Sequence, residues 1–182
     1  GPVTVTYYNN GDTDGTATGQ ANWTAQKIAD VAASVRTWTD RITNVPGRQV
    51  QLHMFWNVLP GGTLGSTSNP IVGNGTTAWS LTEYTWRMGG NFPIDADARI
   101  VFDTDAAGFN WTFGAGTPVG STFDFRSVMT HEFGHAMGFS SAYFSSTDQW
   151  WSGGLTEWDK RLVDSLGNVP VAGPPAINNQ GQ

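Results

Sequence analysis

His131, Glu132 and His135 stand in the order His-Glu-x-x-His within "VMTHEFGHAMGFSSAYF", Val128 to Phe144. Residues four apart on a helix lie one turn apart on the same face. His131 and His135 can therefore both reach one ion through neutral imidazole nitrogens. Glu132 sits at the flank of such a site and can touch a water there without being a ligand. This is the residue order of a zinc site that cleaves peptide bonds. In that chemistry zinc acidifies a water to a pKa near ~7. The glutamate takes the water's proton as it attacks the carbonyl and hands it to the leaving amine.

The motif gains weight from scarcity. The chain has three histidines and three glutamates, and the motif uses two of the former and one of the latter. Val128, Met129, Phe133, Met137 and Phe139 supply apolar packing for a buried helix. The plainer reading is a core helix carrying two surface histidines. His53, the remaining histidine, lies in a strand-like run with Leu52, Met54 and Trp56 on one face and His53 and Phe55 on the other. A packed or hydrogen-bonded role suits it better than ligation.

A helix needs elements to hold it. "VTVTYY", Val3 to Tyr8, alternates as a strand does. Asn10-x-Asp12-x-Asp14-Gly15 imitates the start of a calcium loop, but Ala21 falls where its closing acid would stand, so a solvated loop is expected. Asn22 to Ile42 reads as a long helix, with Ile28, Val31, Val35, Trp38 and Ile42 at helical spacing and Asn22 or Thr24 as cap. Arg48 to Leu59 and Arg99 to Phe102 read as strands. Pro60 to Ser80 and Ala106 to Phe125 read as Gly-rich connections, and loops that long tend to be functional. The motif helix is expected from about Phe125 to Phe139. A loop, Ser140 to Gly154, then leads to a last helix, Leu155 to Leu166.

Composition narrows the partners. The chain has 182 residues, no cysteine, nine Lys plus Arg and a formal net charge of −6. This argues against disulfides, against a cysteine zinc site, and against nucleic acid or anionic membrane as partners. No apolar stretch approaches the ~20 residues that span a bilayer. Abundant Gly, Thr, Asn and Trp with little Lys suits a secreted or cell-surface protein. One domain over residues 1–182 is expected, a larger lobe to residue 139 and a small C-terminal lobe from 140, acting as a monomer.

"WTFGAGTPVGSTFDF", Trp111 to Phe125, followed by "HEFGHAMGF" and by Asp159, Leu162 and Asp164, resembles the zincin metallopeptidases. More narrowly it resembles a secreted bacterial group with H-E-x-G-H-x-x-G-F, over Ala96 to Gly167. The resemblance implies an α+β fold: a twisted mixed sheet above the active-site helix, a long N-terminal helix, and a cleft below the sheet's edge strand. It implies a zinc endopeptidase acting on protein or peptide substrates. Two departures separate the chain from the metzincin pattern. Ser141 stands where a third ligand belongs, and no methionine follows Phe139 to form a Met-turn.

These departures favour a third ligand from a later helix, as in the thermolysin-like and Asp-ligand zincins. With about 100° per residue from Leu155, Trp158, Leu162 and Leu166 form an apolar stripe. Asp159 falls inside it, while Glu157 and Asp164 fall opposite. An inward carboxylate is costly unless paired or bound, which favours Asp159. Its competing role is a capping box with Thr156. Glu157, Asp148, His53, Ser141 and water are the other candidates. Trp111, Tyr143, Trp150 and Trp151 could line a cleft or simply pack. Asp95, Asp97, Asp103 and Asp105 flank a strand as a candidate calcium site or a solvated loop. A competing function is a carbohydrate-binding or adhesive module with structural zinc, suggested by nine tryptophans. Glu132 discriminates, because a structural site has no use for a carboxylate beside its ligands.

Overall fold

The computed structural model describes residues 2–42, 49–89 and 95–140, together with 143–144, 149–150, 154–156 and 159. The elements in chain order begin with β1 (Val3–Tyr7), α1 (Ala25–Thr39) and β2 (Val50–Asn57). Next come β3 (Gly65–Ser68), β4 (Ile71–Gly73), β5 (Thr77–Ser80), α2 (Leu81–Met88) and β6 (Ala98–Asp103). They are followed by β7 (Trp111–Thr112), β8 (Phe123–Asp124), α3 (Phe125–Ala136), β9 (Tyr143–Phe144), β10 (Gln149–Trp150) and β11 (Leu155–Thr156). The class is mixed α+β, with three helices and a mixed sheet among the described residues.

The main sheet runs β1-β2-β6-β3. β1, β2 and β6 are parallel, with Val5 opposite Leu52 and Met54 opposite Ile100. β3 closes the edge antiparallel to β6, with Thr67 opposite Ile100. β2 is covered on both faces, which accounts for its near-continuous apolar run. Leu52, Met54 and Trp56 enter the main core with Val31, Ile100, Phe102, Phe125, Met129 and Phe133. On the other face Phe55 stacks on Tyr8, ring centroids 4.5 Å apart. The facing read from the sequence for these β2 residues thus holds.

α1 is shorter than its periodicity suggested. Thr24 is the cap, its side chain accepting from the Lys27 amide, and Asp40 ends the helix. Its buried side faces α3 through Asp30, Val31 and Ser34.

The structure corrects the reading of Pro60 to Ser80 as a loop. This stretch holds β3, β4 and β5, and Ser80 then caps α2, which the sequence reading passed over. Each strand is three or four residues long, and β3 is the polar run GSTS. Such strands gain their stability from pairing with distant partners rather than from their own side chains. A second sheet, β11-β5-β4, draws the C-terminal segment in, Leu155 pairing with Thr77. Leu155 therefore belongs to a strand and not to a helix. Residues 160–166 of the expected last helix lie outside the described residues.

Candidate metal centre

α3 begins at Asp124, whose carboxylate accepts from the Ser127 amide at 2.9 Å. Phe125, Met129, Phe133 and Ala136 recur at helical spacing and are all buried in the core. Phe125 anchors this face among the rings of Trp56, Phe102, Trp111 and Phe113. Burying that stripe turns His131 and Glu132 toward the other side of the helix.

α1 fixes how α3 is rotated and placed. Trp38 Nε1 donates to the Thr130 carbonyl at 3.0 Å, and Ser34 Oγ donates to the Arg126 carbonyl at 3.2 Å. Asp30, fully buried, accepts from Arg126 Nε at 2.7 Å and from the Gly114 amide at 2.8 Å. Gly134, inside the motif, makes the contact possible. A Cβ there would stand 3.0 Å from Trp38 Cζ2.

β3 and the segment after it grip the opposite flank. Thr67 Oγ1 lies 2.7 Å from Glu132 Oε2 and 2.8 Å from the Glu132 carbonyl. Asn69 Nδ2 donates to the His135 carbonyl at 3.3 Å, and Ser80 Oγ to the Ala136 carbonyl at 3.0 Å. The last carbonyls of a helix lack intrahelical partners; Ser80 supplies one for Ala136, while the His135 carbonyl also accepts from the Gly138 amide at 3.1 Å. Past them, Gly138 turns the chain with φ +97°, and Phe139 N closes back on the Gly134 carbonyl at 3.1 Å.

That turn sets the histidines. The Phe139 carbonyl lies 2.8 Å from His135 Nδ1. A carbonyl can only accept, so Nδ1 carries a proton and Nε2 is the nitrogen left to face a metal. His135 Nε2 lies 2.9 Å from His131 Nε2, with the rings nearly perpendicular. Two nitrogens at zinc-ligand distance, about 2.0–2.1 Å from one tetrahedral ion, would be separated by roughly 3.3 Å. The pair is within a few tenths of an ångström of that spacing. Glu132 is buried beside them. A cleft of about 460 Å³ opens onto His131 and Glu132, lined also by Gly62, Leu64, Gly65, Ser127 and Val128.

The two imidazoles fit a zinc ion in donor type; their Nε2 atoms, at hydrogen-bonding distance here, would move apart by a few tenths of an ångström to share it. The third ligand is another matter. No group of three His, Cys, Asp or Glu suited to a metal forms among the described residues. Asp159 is buried and is bonded to Thr156. Its Oδ2 accepts from the Thr156 amide at 2.9 Å, while its own amide donates to Thr156 Oγ1 at 3.0 Å. This is a reciprocal capping box. The stripe was counted from Leu155, but Leu155 and Thr156 are strand, so that origin does not hold. Glu157, Asp148 and Ser141 lie outside the described residues.

His53 is engaged elsewhere. Its Nδ1 pairs with Asp14 Oδ2 at 2.9 Å, and Arg99 Nε reaches the same oxygen at 2.5 Å. Asp14 Oδ1 accepts from the Thr16 and Ala17 amides. Burial disfavours the Asp14 charge, but the bonds from His53, Ala17, Arg99 and Thr16 outweigh it and hold the carboxyl well below its ordinary pKa. The loop that imitates a calcium site thus spends Asp14 on the sheet's second face. Asp97 accepts from the Gln51 amide and the Thr85 hydroxyl, and Asp103 from the Leu59 and Ala107 amides. Burial opposes the Asp103 charge, but these amides and Asp105 keep its pKa low. Trp111 packs on Trp56 and Phe125, its indole donating to the Asp103 carbonyl at 2.8 Å. Trp151 and the side chains of Tyr143 and Trp150 lie outside what is described.

Sequence reasoning missed Trp38's role on α3, and missed Gly65, Thr67, Asn69 and Ser80 altogether. All five act through packing or hydrogen bonds between segments far apart in the chain, which no local pattern displays. Searches against protein-family models, curated proteins and solved structures return no match.

Proposed function

We propose that this chain is a zinc-dependent endopeptidase of the zincin kind. The observation that carries the reading is the pair of imidazole Nε2 atoms 2.9 Å apart with the Glu132 carboxylate buried beside them at the cleft. Two further features support it. The main sheet is mixed, and its antiparallel edge strand β3 borders the cleft at Gly65. The α1 helix packs directly against the motif helix.

His131 and His135 would hold the zinc, with His135 kept in the ligating tautomer by the Phe139 carbonyl. When bound, zinc supplies Lewis acidity toward water and toward a carbonyl oxygen. Glu132 is placed to receive the proton of the attacking water and to return it to the leaving amine. Gly62, Leu64 and Val128 form a wall without formal charge on which the substrate chain would lie. A structural-zinc adhesion module leaves the buried Glu132 without a purpose.

The test is Glu132→Gln in zinc-loaded protein. The variant should keep one zinc per chain by elemental analysis and lose hydrolysis of a generic protein substrate by several orders of magnitude. Equal activity of variant and parent would refute the assignment. So would zinc below a tenth of an equivalent in the parent after loading.

A further inference from the structure

β3 approaches Glu132 with two residues of opposite kinds. Thr67 brings a hydroxyl to 2.7 Å from Oε2 and 2.8 Å from the Glu132 carbonyl. Gly65, two residues earlier on the same face of the strand, brings no side chain at all. A Cβ on Gly65 would stand 2.8 Å from Glu132 Cγ and 3.1 Å from both Cδ and Oε1. Gly65 has ordinary strand backbone, so no left-handed φ requires the glycine. The space it leaves is filled by the Glu132 side chain itself. Oε2 is thereby taken by Thr67, while Oε1 has no protein donor among the described residues.

We propose that Gly65 and Thr67 form a cradle that positions Glu132 for proton transfer. Thr67 fixes one carboxylate oxygen, and Gly65 admits the side chain and leaves the other oxygen for water. The proposal rests on the peptidase reading for its catalytic consequence. Neither is a catalytic residue; both are positioning residues that act through Glu132. A proton acceptor held by one charge-assisted bond and one steric wall has few rotamers to search, which is where orientation contributes to rate.

The experiment compares Thr67→Val, Thr67→Ser and Gly65→Ala in zinc-loaded protein. Thr67→Val keeps the shape and removes the donor. It should lower kcat about ten- to a hundredfold, the size of one hydrogen bond to a charged group. KM and zinc stoichiometry should stay within about twofold. Thr67→Ser should recover most of kcat, because it restores the hydroxyl. Gly65→Ala should lower kcat with zinc stoichiometry kept, and should also lower stability, because its Cβ would stand 2.8 Å from Glu132 Cγ and must displace that buried side chain. Crystal structures of the zinc-loaded variants give a readout independent of turnover, and the Glu132 carboxylate should leave its wild-type position in Thr67→Val. Wild-type kcat in Thr67→Val, a Thr67→Ser as impaired as Thr67→Val, or an unmoved Glu132 would overturn the proposal. If the parent hydrolyses no peptide, the peptidase reading fails, and the position of Glu132 in the variant crystals still decides the cradle.

Discussion

Gly138→Ala probes whether the end of the motif helix is set by backbone conformation alone or also by what packs on it. Gly138 has φ +97°, a region in which an L-residue pays roughly 1–2 kcal/mol. Its added Cβ would also stand 2.6 Å from Glu83 Oε2 and 3.4 Å from Ser80 Oγ. Glu83 is buried and pairs with Arg87 at 2.8 Å, while Ser80 holds the Ala136 carbonyl. The Ser80 distance is ordinary van der Waals contact, so only the Glu83 carboxylate must move, and disturbing its half-solvated pair with Arg87 should add up to about 1 kcal/mol. Gly89→Ala is the control. Gly89 has φ +62° and nothing within 4 Å of a Cβ, so it pays the backbone cost alone. For a chain of this length each kcal/mol moves Tm by about 2–4 °C. Calorimetry should show Gly138→Ala lower by roughly 4–12 °C and Gly89→Ala by a few degrees. The helix end also carries the Phe139 carbonyl that sets the His135 tautomer. Chelator competition should therefore show zinc bound about tenfold more weakly in Gly138→Ala and unchanged in Gly89→Ala. If Gly138→Ala costs no more than Gly89→Ala, the packing argument is refuted.

Acid stability should depend on Asp14. Its folded carboxyl titrates below the ordinary value of 3.8, so the folded state binds fewer protons than the unfolded chain. That contribution is complete above roughly pH 5 and drains as pH falls; Asp14→Ala should lower stability at neutral pH and flatten the acid limb of a urea-denaturation series. An unchanged acid limb would contradict the network. Asp159→Ala should cost about 1 kcal/mol through the lost capping box and leave zinc stoichiometry intact. Loss of zinc from that variant would make Asp159 the third ligand after all, and a chelator titration beside Glu157→Ala separates the two.

What the sequence made legible is what depends on short-range periodicity. Four-residue spacing puts His131 and His135 on one face whatever surrounds the helix. Alternation sends Leu52, Met54 and Trp56 one way and His53 and Phe55 the other. Thr24 caps α1 and Thr156 pairs with Asp159 because caps are local. The failures share the opposite property. β3 is the run GSTS, and nothing in it announces a strand until β6 lies alongside. α2 has only eight residues, too few for a convincing period, and it is held by Ser80 and by its packing. Ala106 and Ala107 take left-handed φ of 54° and 57°, where glycine would be the usual signal. Asp103 and Asp105 hold that turn through the Ala107 and Gly108 amides. The angle count that singled out Asp159 found a buried carboxylate correctly, and the Thr156 amide occupies one of its oxygens.

The glycines of the motif carry a physical argument of their own. Glycine inside a helix costs about 1 kcal/mol relative to alanine, so Gly134 weakens α3 considered alone. The cost is offset by what the missing Cβ admits. The Trp38 ring reaches the helix, packs on Phe139, and places its indole on the Thr130 carbonyl. Asn69 and Ser80 meanwhile take the carbonyls of His135 and Ala136 from the other side, and Thr67 holds the Glu132 carboxylate. Fixed on opposite flanks and buried along the Phe125–Met129–Phe133 face, α3 has no freedom to roll about its axis. Rolling would sweep both imidazoles away from a common point and draw Glu132 from the cleft. The residues that make the centre possible are therefore mostly those that stop the helix turning, and they lie on α1, β3 and the approach to α2, far from the motif in sequence.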